Sequence, residues 1–161
     1  MMTPDKLKDT VAFCMEIAKA NLVRDDYLAP AGIILYGDNQ YDMASLAYDD
    51  SEQSKQSVAD QFIALARRLK ATAVITIFDS WCAMVKEIPK DKRVRDLPEA
   101  RDAIVVSGHM PDYQTMALVY YTKTDKGFVF EDDEELSKAT PGQSRFTDGI
   151  WETHSITDAP Q

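Results

Sequence analysis

The chain has 161 residues, 45% of them apolar and 28% charged, and a formal net charge of −9 at pH 7. This length suits one domain, and the apolar content excludes a wholly disordered chain. Because the negative charge repels phosphate backbones and anionic lipids, we expect no direct nucleic-acid binding and no membrane binding.

The first element is a predicted helix that begins at Thr3-Pro4-Asp5, where Thr3 can cap and Pro4 suits the first turn. Apolar side chains recur at helical spacing and continue the helix to about Val23. After the breaker Pro30-Ala31-Gly32, the run Ile33 to Tyr36 predicts a strand. The turn residues Gly37 to Asn39 then predict a hairpin with a second strand from Gln40 to Leu46.

A second helix is predicted after Ser51, with an apolar stripe of Val58, Phe62, Leu65 and Leu69. It leads directly into a strand from Ala73 to Phe78.

The segment from Lys86 to Arg101 differs from the rest, because its six basic and four acidic residues leave it at +2. We interpret it as a long ordered loop between strands. The following elements are a strand from Ala103 to Val106, a turn from Gly108 to Asp112, a strand from Thr115 to Thr122 and a closing hairpin strand from Phe128 to Phe130.

This order, α-β-β-α-β-β-β-β, predicts an α+β fold with a mainly antiparallel sheet of five to six strands. We expect one domain over residues 1–136 and a C-terminal extension over 137–161, partly docked through Phe146, Ile150 and Trp151 and otherwise flexible. The strands are too apolar for two helices to cover both sheet faces. The sequence therefore predicts a protein partner or self-association.

Cysteine usage and absent motifs limit the chemistry. Cys14 and Cys82 show no CxxC spacing, which argues against a disulfide framework or a zinc site. No signal peptide and no uncharged span of about 18 residues is visible, so we expect a cytoplasmic protein. Phosphate-binding glycine loops, zinc-protease motifs and serine-nucleophile motifs are also missing, so we expect no metal and no cofactor.

Asp79 and Trp81 form the most suggestive cluster, at the end of the predicted strand. Asp79 could act as a general base or as a metal ligand, and Trp81 as a stacking platform. His109, with Asp112 nearby, could supply an acid–base group, and Cys82 could be a nucleophile with His109 as its base. In each case we favour a structural role.

The loop cations Arg93, Arg95 and Arg101 could bind an anion, together with Lys90 and Lys92. The alternative, which we favour, is pairing with the chain's own carboxylates.

One further pattern begins with a buried strand that ends in an acidic residue, followed by one residue and then Trp, as in Phe78-Asp79-Ser80-Trp81. A proline- and arginine-rich loop from Pro89 to Arg101 comes next, and two or three strands follow from Ala103 onward. In this pattern the sequence resembles a set of small uncharacterised bacterial and phage proteins. Those proteins usually have Glu where this chain has Asp79. The resemblance implies no particular activity, and it favours a phage or mobile-element accessory protein.

We therefore expect a non-enzymatic accessory protein that acts through protein–protein contacts or self-association. One alternative is a small hydrolase or nucleotide-handling enzyme with a site near Asp79, Trp81, His109 and Arg93. The other is an inhibitor that imitates nucleic acid with a stripe of carboxylates.

Overall fold

The computed structural model describes residues 1–82, 90–131, 134–135 and 144–151. These residues form two helices, seven strands and one short 3-10 turn. In chain order they are α1 (Pro4–Asp25), β1 (Ala31–Tyr36), β2 (Gln40–Ser45), α2 (Glu52–Arg68), β3 (Ala73–Cys82), the 3-10 turn (Val94–Asp96), β4 (Arg101–Met110), β5 (Tyr113–Thr124), β6 (Gly127–Phe130) and β7 (Glu134–Glu135). The predicted α+β class and the order of helices and strands are confirmed, with β7 as an addition.

Both helices begin at capping side chains that the sequence carries. The Thr3 hydroxyl accepts a hydrogen bond from the Lys6 backbone N–H at 3.2 Å, and the Ser51 hydroxyl accepts one from Ser54 at 3.0 Å. Helix α1 ends where Asp26 adopts a left-handed conformation with φ of 56°. No helix in the described part of the chain has the length and apolar character needed to cross a membrane.

The main sheet has the strand order β2-β1-β3-β4-β5-β6, with antiparallel neighbours throughout, and β7 pairs with β5. Helix α2 leads the chain from β2 to β3, which lies on the other side of β1. As a result β2 is left at one edge of the sheet.

Helix α1 packs on one face of the sheet, which we call the first face. Its apolar stripe of Leu7, Val11, Cys14, Met15, Ala18 and Leu22 is buried. The side chains beneath it include Ile75 and Ile77 from β3, Ile104 and Val106 from β4, and Val119 from β5. The helix lies mainly across β4 and β5.

Helix α2 packs on the opposite, second face. Phe62 and Ala66 contact a cluster that contains Ile34 of β1 and Val74 of β3. Two C-terminal side chains, Phe146 and Ile150, are buried in the same cluster. The indole Nε1–H of Trp151 donates to the backbone oxygen of Ala71 at 2.8 Å. Residues 137–143 and 152–161 of the expected extension lie outside the described residues.

The expected turn from Gly108 to Asp112 is wrong in its first half. Strand β4 continues to Met110, so His109 lies in a strand and only Pro111 and Asp112 form the turn. Asp112 supplies the left-handed residue, with φ of 63°. Gly108 serves a different purpose, because a Cβ there would lie 2.6 Å from Val11 and 3.0 Å from Leu7. It allows α1 to approach the sheet closely.

The predicted strand from Ala73 to Phe78 is also too short. Strand β3 does not end at Phe78 but runs to Cys82, because Asp79 to Cys82 pair with residues 101–104 of β4. Asp79, Ser80 and Trp81 therefore lie inside a strand instead of following one. Of the predicted loop from Lys86 to Arg101, residues 86–89 lie outside the described residues and residues 90–100 contain the 3-10 turn. Arg101 does not belong to the loop, because it begins strand β4.

We predict that Gly108→Ala lowers the free energy of unfolding by about 1–3 kcal/mol, because the new methyl group overlaps α1. Chemical denaturation measures the change. In Gly108→Ala/Val11→Ala the nearest overlap is removed, so the double variant should lose less stability than the two single losses combined. Strictly additive losses would contradict this account of the helix–sheet contact.

Candidate functional site

An apolar groove lies between the exposed side of α1 and the first face of β1 and β2. We call it the α1–β2 groove, and its volume is about 320 Å³. Its lining is almost entirely apolar, with Phe13, Ile17, Leu28, Ile33, Tyr41 and Met43 as its main side chains. A continuous exposed apolar surface of this kind commonly marks a binding site.

The groove exists because α1 covers only part of the first face. The helix lies mainly over β4 and β5, so it covers the first-face side chains of β1 and β2 only in part. Four of the lining side chains are strongly exposed: Phe13 at 66%, Ile17 at 43%, Tyr41 at 62% and Met43 at 63%. Single exposed apolar residues are ordinary, but these four border one depression.

At the other end of the first face, Asp79 accepts a hydrogen bond from the Tyr121 hydroxyl at 2.8 Å. Residue alternation places Trp81 and Asp102 on this face as well, and the two are register partners. The Tyr121 ring packs against Phe128 and Phe130. Asp79 is thus a partnered carboxylate at the end of an aromatic cluster.

The electrostatics of this pair follow from partial burial. Desolvation raises the pKa of Asp79, the Tyr121 hydrogen bond opposes that rise, and the nearby Asp102 charge adds to it. Burial, together with the hydrogen bond to Asp79, strongly raises the pKa of Tyr121. The tyrosine is therefore a hydrogen-bond donor throughout the ordinary pH range, and the contact positions the carboxyl.

The structure does not bring Asp79 and His109 together. His109 pairs with Val74, five positions along β3 from Asp79, which is roughly 17 Å in an extended strand. Because successive side chains in a strand alternate between faces, a separation of five positions also places Asp79 and His109 on opposite faces of the sheet. Burial lowers the pKa of His109 and thereby favours the neutral imidazole.

Cys82 and His109 are farther apart still. Cys82 pairs with Arg101 at the opposite end of the β3–β4 ladder, eight positions from Val74. Burial raises the pKa of the Cys82 thiol, which disfavours the reactive thiolate. The dyad drawn from the sequence has no contact in the structure.

The loop arginines contact the protein's own groups in two of three cases. Arg93 lies 3.6 Å from an Asp96 carboxylate oxygen, and Arg101 pairs with Glu131. The Arg101 guanidinium also lies 4.6 Å from the centre of the Tyr120 ring. Arg95 is exposed.

Trp81 is 50% exposed on the first face, whereas Arg101 lies on the second. The predicted binding residues therefore do not form one cluster. Within the described ranges, no three metal-ligating side chains gather in a geometry that could hold a metal ion.

Sequence reasoning missed the groove residues and Tyr121. Phe13 and Ile17 lie beside the buried stripe of α1, and a helical-wheel reading that asked for apolar residues outside that stripe would have found them. The alternation of Tyr41 and Met43 in β2 was a second available signal. Tyr121 contacts Asp79 across 42 residues of chain, a distance that no local pattern encodes.

We predict that Asp79→Asn gains stability relative to the parent chain as the pH rises from about 3 to about 7. Because the folded-state pKa of Asp79 is raised, the folded chain binds the carboxyl proton more tightly than the unfolded chain does. The stabilisation that this proton provides is lost as the pH rises through the folded-state pKa. Asparagine keeps the oxygen that accepts from Tyr121 and does not ionise. Urea denaturation across this pH range measures the difference. Asp125→Asn, in the exposed β5–β6 turn, controls for the loss of one charge; an equal response in both variants would contradict the assignment.

Searches of protein-family models, curated proteins and solved structures found no match to this chain. The resemblance to small bacterial and phage proteins therefore stays a prediction, and the geometry of the chain itself carries the functional argument.

Proposed function

We propose that this chain is a non-enzymatic accessory protein that binds a polypeptide through the α1–β2 groove. The observation that carries the proposal is the continuous apolar surface of Phe13, Ile17, Tyr41 and Met43 beside an edge strand. Covering a large apolar side chain releases water and contributes about 1.5–3 kcal/mol when the burial is complete. Even partial covering of these four side chains would contribute favourable free energy to the binding of a polypeptide.

The composition of the groove favours a polypeptide over a small-molecule substrate. Sites for small substrates usually combine apolar walls with a few convergent polar groups that fix orientation. Here the polar side chains in the lining are limited to Thr10 and Asn21, apart from the Tyr41 hydroxyl and the Cys14 thiol. The neighbouring strand β2 instead offers backbone groups, which recognise an extended chain.

The enzyme alternative gains no support from the positions of its residues. Asp79 and His109 lie on opposite faces, and Arg93 is paired with Asp96. The partnered Asp79 is accounted for by its hydrogen bond with Tyr121. We propose a cytoplasmic location because Cys14 and Cys82 are both free thiols, as is typical of a reducing compartment. A phage or mobile-element setting follows from the resemblance alone.

Selection from a display library of random peptides on the immobilised chain tests the proposal. We predict enrichment of peptides with alternating apolar residues, because they can extend the sheet and fill the groove. Phe13→Glu places a charge in the lining and should weaken their binding at least tenfold, or about 1.4 kcal/mol. Fluorescence polarisation with the selected peptides measures this.

The matched control is Val129→Glu, which changes another exposed apolar residue, 55% exposed against 66% for Phe13, on β6 and away from the groove. It should leave peptide affinity unchanged. Failure to enrich any peptide, or equal weakening by both variants, would remove the groove as a binding site.

A further inference from the structure

Among the described residues, no strand pairs with the outer edge of β2, and the register identifies which of its backbone groups point outward. The Leu46 backbone N–H donates to the Pro30 oxygen at 3.1 Å. Hydrogen-bonded pairs alternate along an antiparallel ladder, so Ala44 and Asp42 also bond to β1. The N–H and C=O groups of Tyr41, Met43 and Ser45 therefore point away from the sheet. The Leu35 backbone oxygen accepts a hydrogen bond from the Thr72 backbone N–H, on the β3 side. Leu35 lies opposite Tyr41, so its oxygen points away from β2, as this alternation of hydrogen-bonded pairs requires.

This edge lacks the features that usually prevent strand addition. Residues 40–45 contain no proline, lysine or arginine, and their single charge is Asp42. The Asp42 side chain lies on the second face, where it accepts a hydrogen bond from the Tyr36 hydroxyl at 3.3 Å. On the first face the same strand presents the exposed apolar side chains Tyr41 and Met43.

We propose that the occupant of this edge and of the α1–β2 groove is a second copy of the chain, whose β2 pairs antiparallel with β2 about a two-fold axis at Met43. This inference rests on the proposed function of the groove and names its partner. In this register Met43 lies opposite Met43 of the second copy, and Tyr41 lies opposite Ser45. Every outward-pointing residue then finds an outward-pointing partner.

Neighbouring registers are worse for identifiable reasons. An axis at Asp42 places two carboxylates directly opposite each other, which is destabilising. An axis at Ala44 leaves Tyr41 without a partner among the outward-pointing residues and sets Asp42 opposite the buried Leu46. The Met43 register instead sets Asp42 opposite Ala44.

The exposed area is adequate for such a dimer. A large apolar side chain has a surface of about 200 Å², and a standard interface buries about 800 Å² on each partner. The four exposed groove side chains supply roughly half of that requirement. In the paired sheet, Tyr41 and Met43 of both copies form one apolar strip on the first face, between the two α1 helices. The backbone of β2 and the groove walls supply the remainder.

Sedimentation velocity over a concentration series tests the association. We predict a dimer that Met43→Lys weakens at least tenfold and that Val129→Lys leaves unchanged. Because each copy has a net charge of −9, added salt should strengthen the dimer by screening repulsion. A monomer at every concentration and salt level would overturn the proposal.

Oxidative cross-linking tests the register without relying on affinity. Met43→Cys should form a disulfide-linked dimer, because directly paired residues have Cα atoms about 5.5 Å apart, within disulfide range. Asp42→Cys should not, because its counterpart lies diagonally at roughly 8 Å. The parent chain, with Cys14 and Cys82, is the control for background cross-linking.

Cross-linking of Asp42→Cys with none at position 43 would overturn the Met43 register. The two proposals can fail separately. A strictly monomeric chain that still binds selected peptides at the groove would refute the second copy as occupant and leave the groove's binding role intact. A chain that neither associates nor binds peptides would refute both.

Discussion

The first half of strand β3, from Ala73 to Ile77, is buried on both faces, and this constraint determines where both helices lie. Ala73, Ile75 and Ile77 face α1, whereas Val74 and Phe78 face the cluster under α2. A shift of one residue in its pairing would exchange these two sets, so the register of β3 is strongly specified. Because β1 and β4 both pair with β3, its register also fixes which of their side chains lie on each face of the sheet.

The two helices are offset from each other across the sheet, and glycines allow both close contacts. Gly108 lies under Val11 and Leu7 and draws α1 toward β4, and Gly32 lies under the Phe62 ring and draws α2 toward β1. This diagonal arrangement leaves one part of each face beyond the reach of the two described helices. On the first face that part is the α1–β2 groove. On the second face it holds a small cluster of Ala103, Leu118 and Tyr120, with the Arg101 guanidinium across the Tyr120 ring.

The groove and the edge of β2 thus have one structural origin. Because α2 leads the chain past β1 to β3, β2 is left as a terminal strand, and because α1 sits over β4 and β5, the apolar side of β2 is left open. Backbone hydrogen-bonding capacity and apolar surface coincide there, which is the combination that strand addition uses. Asp79, by contrast, is satisfied within the chain by Tyr121. The residue that the sequence marks most clearly therefore has a structural partner, and the open surface lies elsewhere.

The sequence by itself determined the elements and their order. Local signals were sufficient: Thr3 and Ser51 cap the helices, apolar periodicity marks their buried faces, and Gly37 to Asn39 mark a hairpin. It also predicted that two helices would not cover the sheet. Strand ends were less well predicted, because Asp79 to Cys82 become a strand only by pairing with β4.

Only the tertiary structure decided which surface stays open and which polar groups meet. The helix offset depends on close packing at Gly108 and Gly32, glycines whose neighbours are distant in the chain. The same is true of the contact between Asp79 and Tyr121 and of the separation of Asp79 from His109. Local patterns encode which residues face a core, but long-range register decides which side chains share a face and which lie at its edge.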